Sequence, residues 1–139
     1  MYFLLASVLS IYGCNSRVKE KEIAISFAKA LLNDSVKSEV VAEKYVKYDA
    51  RGRDFLIWQM DLIRADFRKR GIKPNDLKVV TGKEAGEKLR KMNIQDMDID
   101  QVLVVLNKDT LLFPIMIPDD KIESFATMNK GGRRYFMTY

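Results

Sequence analysis

An α+β domain is predicted, with three helices ahead of an antiparallel sheet, and three observations predict it. Between residues 18 and 70 the apolar side chains recur at three- and four-residue spacing, the period of one helix face. After Pro74 the pattern changes to short runs rich in β-branched and aromatic residues. Those runs are separated by Asn107-Lys108-Asp109, Pro118-Asp119-Asp120 and Gly131-Gly132, sequences that turn a chain back on itself. Helices grouped before strands, rather than alternating with them, place the helices together on one face of the sheet.

The first predicted helix, 18–32, has Ile23, Phe27, Ala30 and Leu31 at i, i+4, i+7 and i+8. Asn33-Asp34-Ser35 breaks it and offers capping oxygens to the next segment. A second helix over 36–48 follows from Val41, Tyr45 and Tyr48. A connection containing Gly52 leads to the strongest helix, 54–70, where Leu56, Met60, Ile63 and Phe67 share a face flanked by Phe55, Trp58 and Leu62. So wide an apolar arc predicts packing on more than one neighbour, with Trp58, Met60, Ile63 and Phe67 largely buried. Gly71 stops this helix and Pro74 prevents its continuation. Strands are predicted at 77–81, 102–106, 110–117, 121–128 and 134–139. Lys83 to Met92 has helical composition but a thin apolar face, so it reads as an exposed helix or a loop. There is no internal repeat.

The chain of 139 residues is about one domain long, and its apolar content of 47% suffices for a core without disulfide or metal. The net charge of +5 lies entirely in residues 1–75, which hold 14 Lys/Arg against 9 Asp/Glu; the remainder balances at 10 of each. Its densest part is Arg64, Arg68, Lys69, Arg70 and Lys73. A nucleic-acid surface would need a longer stripe interleaved with exposed aromatics. A basic last turn that complements the helix dipole is the simpler reading, so no nucleic-acid partner is expected.

Residues 1–13, MYFLLASVLSIYG, carry no charge, and the only cysteine, Cys14, follows them directly. An apolar run too short to span a bilayer, Ile11 three positions before the cysteine and Gly13 just before it resemble a bacterial lipoprotein signal sequence. The resemblance implies cleavage before Cys14, a diacylglycerol on its thiol, and a chain held at a membrane of the cell envelope. It divides the chain into a signal peptide, 1–13, an acylated cysteine with a polar tether, 14–22, and a single α+β domain, 23–139.

The order of three helices and then an antiparallel sheet over residues 18–139 resembles the cone-shaped fold of nuclear transport factor 2, also called cystatin-like. That resemblance implies a curved sheet with the helices on one face. It names no site, because this fold hosts enzymes, binding proteins and structural modules alike.

The sequence contains no histidine, which removes Ser-His-Asp and Cys-His catalysis and the commonest zinc ligand. Asp96, Asp98 and Asp100 begin like a calcium loop, but Gln101 and Asn107 stand where glycine and glutamate are required. They read as a solvated loop. Asn129 to Arg134, with two glycines among cations, reads as a turn between strands rather than an anion cradle. No metal or cofactor is expected. Two functional readings remain. One is a non-catalytic binding or accessory module, held at the membrane by lipid on Cys14, with a small ligand or an envelope protein as partner. The other is a pocket enzyme whose base is Asp61 or Asp66 beside a tyrosine donor, its carboxyl pKa raised by burial.

Overall fold

A computed structural model describes the backbone from Leu5 to Tyr139 and the side chains from Ser16 onward. Residues 1–4 and the Cys14 side chain, on which the signal-sequence and lipidation expectations rest, lie outside the described residues. The class is α+β, as predicted, with antiparallel pairing throughout the named strands.

Helix α1 (Leu5–Leu32) begins well before the predicted start and buries Ala24, Phe27, Ala28 and Leu31 along one face. Among the described residues, no helix is long and apolar enough to cross a membrane. The last carbonyls of α1 are met from another element. Arg64 is nearly buried and donates to the carbonyls of Ala30 at 3.3 Å and Asn33 at 3.2 Å, adding to the backbone N–H groups of Asn33 and Val36 that these carbonyls already accept.

Helix α2 (Ser38–Tyr45) is shorter than predicted. The N–H of Ile122 donates to the Tyr45 carbonyl and the N–H of Lys47 to the Ile122 carbonyl, both at 2.8 Å. Val46 is thereby drawn out of the helix into a bridge with Ile122. The anticipated cap is not used either: the residue before α2 is Lys37, which makes no side-chain cap. Asn33 Oδ1 instead accepts from the Ser35 N–H, and Asp34 pairs with Arg68 at 2.7 Å.

Helix α3 (Arg53–Lys69) ends as its sequence indicates. Gly71 takes φ +65°, the Ile72 N–H donates to the Phe67 carbonyl, and the Gly71 N–H donates to that of Arg68. This is a Schellman closure, completed by burial of Ile72. The burial of α3 corrects the expectation in part. Leu56, Met60 and Phe67 are buried and Ile63 is half-buried, but Trp58 is 55% exposed, with Phe55 at 44% and Leu62 at 50%. The buried stripe is one face wide because α1, α2 and the sheet all lie on that side. Three of the basic residues at this end are engaged locally: Arg64 on α1, Arg68 with Asp34 and Arg70 with Asp66.

After a 3-10 turn at Pro74–Asp76 come β1 (Leu77–Thr81), β2 (Val102–Asn107) and β3 (Thr110–Met116), a three-stranded sheet in that order. Leu103 and Val105 of β2, with Phe113 and Ile115 of β3, face the three helices. Val102, Val104 and Leu106 face the opposite way, onto Ala85, Leu89 and Ile94. The second face is therefore covered as well, by α4 (Gly82–Ala85), α5 (Glu87–Arg90) and the loop after them. The ambiguous 83–92 segment is two single turns divided at Gly86, whose φ of +53° breaks the helix.

The sheet is also smaller than predicted. β4 (Thr127–Lys130) and β5 (Arg133–Phe136) form a separate hairpin turned by Gly131 and Gly132, both at positive φ. The predicted strand 121–128 forms only an isolated bridge, Ser124 to Met116, on the outer edge of β3. Pro114 explains why. Met116 donates to the Ser124 carbonyl at 2.8 Å, and the next N–H on that edge would belong to residue 114, which is proline and has none. The carbonyl two residues beyond Ser124, that of Ala126, accepts instead from the Met137 N–H and the Ser124 hydroxyl.

Candidate functional site: a cleft at the edge of the sheet

Where the ladder stops at Pro114, the chain peels away from β3 and a cleft opens between α3, β3 and the start of β4. Its volume is about 360 Å³, within the range of small-molecule sites. From α3 come Gln59, Leu62, Ile63, Asp66, Phe67 and Arg70. Gln59, Ile63, Asp66 and Arg70 follow i, i+4, i+7 and i+11, so one flank of the helix makes the wall. Leu112, Phe113 and Pro114 of β3 form the floor, with Phe125, Ala126 and Thr127 opposite. Met92 and Arg134 close the remaining side.

The floor is rigid because its aromatic rings support one another. Phe113 stacks on Phe67 with centroids 6.0 Å apart and meets Phe125 edge-on at 6.4 Å. Phe125 is in turn covered by Tyr139, stacked at 5.3 Å. The Tyr139 hydroxyl donates to Gln59 Oε1 and holds that amide against the cleft wall. Burial pushes the Tyr139 phenol well above its ordinary pKa, because the phenolate would lose hydration there.

Charge is confined to the rim. Asp66 pairs with Arg70 at 3.0 Å, and both side chains are substantially exposed. Arg134 stands opposite, and its guanidinium belongs to no ion pair among the described residues. Its backbone is pinned: the Gln95 N–H donates to the Arg134 carbonyl at 2.8 Å, beside a parallel bridge from Ile94 to Arg134.

Of the two carboxylates considered as bases, only Asp66 reaches the cleft, and no tyrosine lines the cleft beside it. Asp61 lies elsewhere, accepting from the Ser38 hydroxyl at 2.6 Å and tying α3 to the start of α2. Among the described residues no tyrosine hydroxyl hydrogen-bonds to Asp61 or Asp66. Asp96, Asp98 and Asp100 lie exposed in the loop before β2, with Asp100 on Lys83 at 2.7 Å and Asp98 accepting from the Asp100 N–H. Among the described residues no group of three or more His, Cys, Asp and Glu could hold a metal ion.

Sequence reasoning overlooked Gln59 and Pro114, and set Arg134 aside as part of the turn 129–134. Two signals were available. A proline inside a strand marks an edge where pairing ends. Period-two alternation along β5 places Arg134 and Phe136 on one side of the hairpin and Arg133 and Tyr135 on the other.

No family model, curated protein or solved structure matches the chain.

Proposed function

We propose that this chain is a non-catalytic binding module of a bacterial cell envelope, held at a membrane by lipid on Cys14, with the edge cleft as its ligand seat. The observation that carries the binding reading is the cleft itself: a mostly apolar lining in which the one carboxylate among the described residues, Asp66, is exposed at the rim and already paired with Arg70. A carboxylate so placed is open to water and held by a cation at the rim, away from the apolar lining on which a ligand would lie. The anchor reading is supported by the uncharged run that ends at Gly13-Cys14. Kinship with the nuclear transport factor 2 cone belongs to the same proposal. It is supported by three helices ahead of antiparallel strands and packed on one sheet face; the separate hairpin and the helical turns on the second face weigh against it.

The anchor is tested by membrane fractionation of the native chain and of Cys14→Ser. Multiple acyl chains hold a protein firmly where one does so marginally, so the variant should move almost wholly to the soluble fraction. Equal retention of the two forms would overturn the lipoprotein reading and leave the cleft untouched.

A further inference from the structure

We propose that the cleft takes a single-chain amphiphile with one carboxylate head, the head paired with Arg134 and the chain lying along the apolar lining. The inference rests on the cleft being a ligand seat and adds the chemical class of its occupant.

Three features of the site lead to that class. The accessible lining is apolar, made by Leu62, Ile63, Met92 and Leu112 over the buried rings of Phe67 and Phe113, so most of the ligand must be hydrocarbon. Among the described residues the rim offers one uncommitted cation. Arg70 is neutralised by Asp66, whereas Arg134 has no carboxylate partner among the described residues, so a head with one negative charge is matched and a dianion is not. A guanidinium presents a planar fork that fits a carboxylate in two parallel hydrogen bonds.

The apolar surface also continues out of the cleft. Leu62 lines it and is half exposed on the same side of α3 as Trp58, four residues earlier, and Trp58 lies 5.6 Å from the Phe55 ring. A chain longer than the floor can follow Leu62 onto this stripe, which lies one helical turn away.

An extended peptide fits less well. Binding by strand addition draws its affinity from main-chain hydrogen bonds to a sheet edge, and Pro114 withdraws the donor from the one edge that the cleft exposes. A hydrocarbon chain asks nothing of that edge.

The test is calorimetric titration of the full chain carrying Cys14→Ser with decanoate, below its aggregation concentration, and with decanol as the uncharged analogue of equal length. Decanoate should bind at least about tenfold more tightly than decanol. Arg134→Gln should remove that preference, and Arg134→Lys should restore part of it. Arg133→Gln removes the same charge from the opposite side of the hairpin and should change nothing. Equal binding of decanoate and decanol overturns the carboxylate assignment while the cleft stands as an apolar seat. An equal loss in Arg133→Gln and Arg134→Gln overturns it too, since general attraction to a cationic protein would then suffice. Binding of neither probe sinks this inference and the ligand-seat reading together, without bearing on the anchor.

Discussion

The two faces of the three-stranded sheet are built from the same valine-rich strands and covered in opposite ways. On one face Leu103, Val105, Phe113 and Ile115 meet α1, α2 and α3, and the rings of Phe27, Phe67, Phe113 and Phe125 interlock. On the other, Val102, Val104 and Leu106 are covered by two four-residue helical turns and the half-buried Met92, Met97 and Ile99. β2 is buried on both sides as a result. Long amphipathic helices bring a preformed stripe to their face, whereas turns this short have no stability apart from the surface they cover. Half a core can thus be assembled from segments that would not hold their shape alone.

The comparison makes its largest prediction at Phe27, which is fully buried and touches Tyr45, Phe113 and Phe125. Phe27→Ala should cost about 3–5 kcal/mol, a large part of a total stability of about 5–15 kcal/mol. Leu89 is equally buried on the second face, but on the side away from β2 it is covered by short turns and loop that can settle into the space. Leu89→Ala should fall at the lower end of about 2–5 kcal/mol. Chemical denaturation of both variants decides the matter, and the contrast is broken if Leu89→Ala costs as much as Phe27→Ala.

A smaller effect is expected where the sheet ends. If Pro114 is what stops the ladder, Pro114→Val supplies an N–H that the Ala126 carbonyl can accept. Amide exchange should then show residue 114 protected, and decanoate binding should weaken as the edge closes. An unprotected amide at 114 with an unchanged cleft would place the cause in the 125–127 segment instead.

The smallest prediction concerns the tie between the two layers. Thr81 and Glu84 cap α4 reciprocally: the Glu84 N–H donates to the Thr81 hydroxyl and the Thr81 N–H donates to the Glu84 carboxylate. Lys21 of α1 lies 3.3 Å from the same carboxylate. The Thr81 N–H above all, with the Thr81 side chain and Lys21 adding to it, holds the Glu84 pKa below its ordinary 4.5. A depressed carboxyl pKa contributes stability that is complete above the unfolded value and is lost as pH falls through the folded one. Glu84→Gln should therefore be slightly less stable than the parent at neutral pH and converge with it as pH drops below 4.5. A gap that persists in acid would mean that packing, not charge, links α4 to α1.

What could be read from the residues alone was whatever local periodicity and turn chemistry fix. The three helices, the end of α3 at Gly71, strands β1 to β3 and the Gly131-Gly132 hairpin follow from spacings within a few residues of each site, so the sequence carries them. The single cysteine after an uncharged run gives an expected address by the same local logic. Tertiary structure decided which apolar residues are buried and where pairing stops. Trp58 and Met60 sit two positions apart on α3 and look equally apolar, but only the side toward α1, α2 and the sheet has neighbours. Residues 121–126 have strand composition, but their partner edge lacks a donor at Pro114, and a missing hydrogen bond is visible only once the two segments lie side by side. The cleft arises from that mismatch between strands distant in sequence. For the same reason Arg134, part of an ordinary turn when read alone, comes to stand at its rim with no ion-pair partner among the described residues.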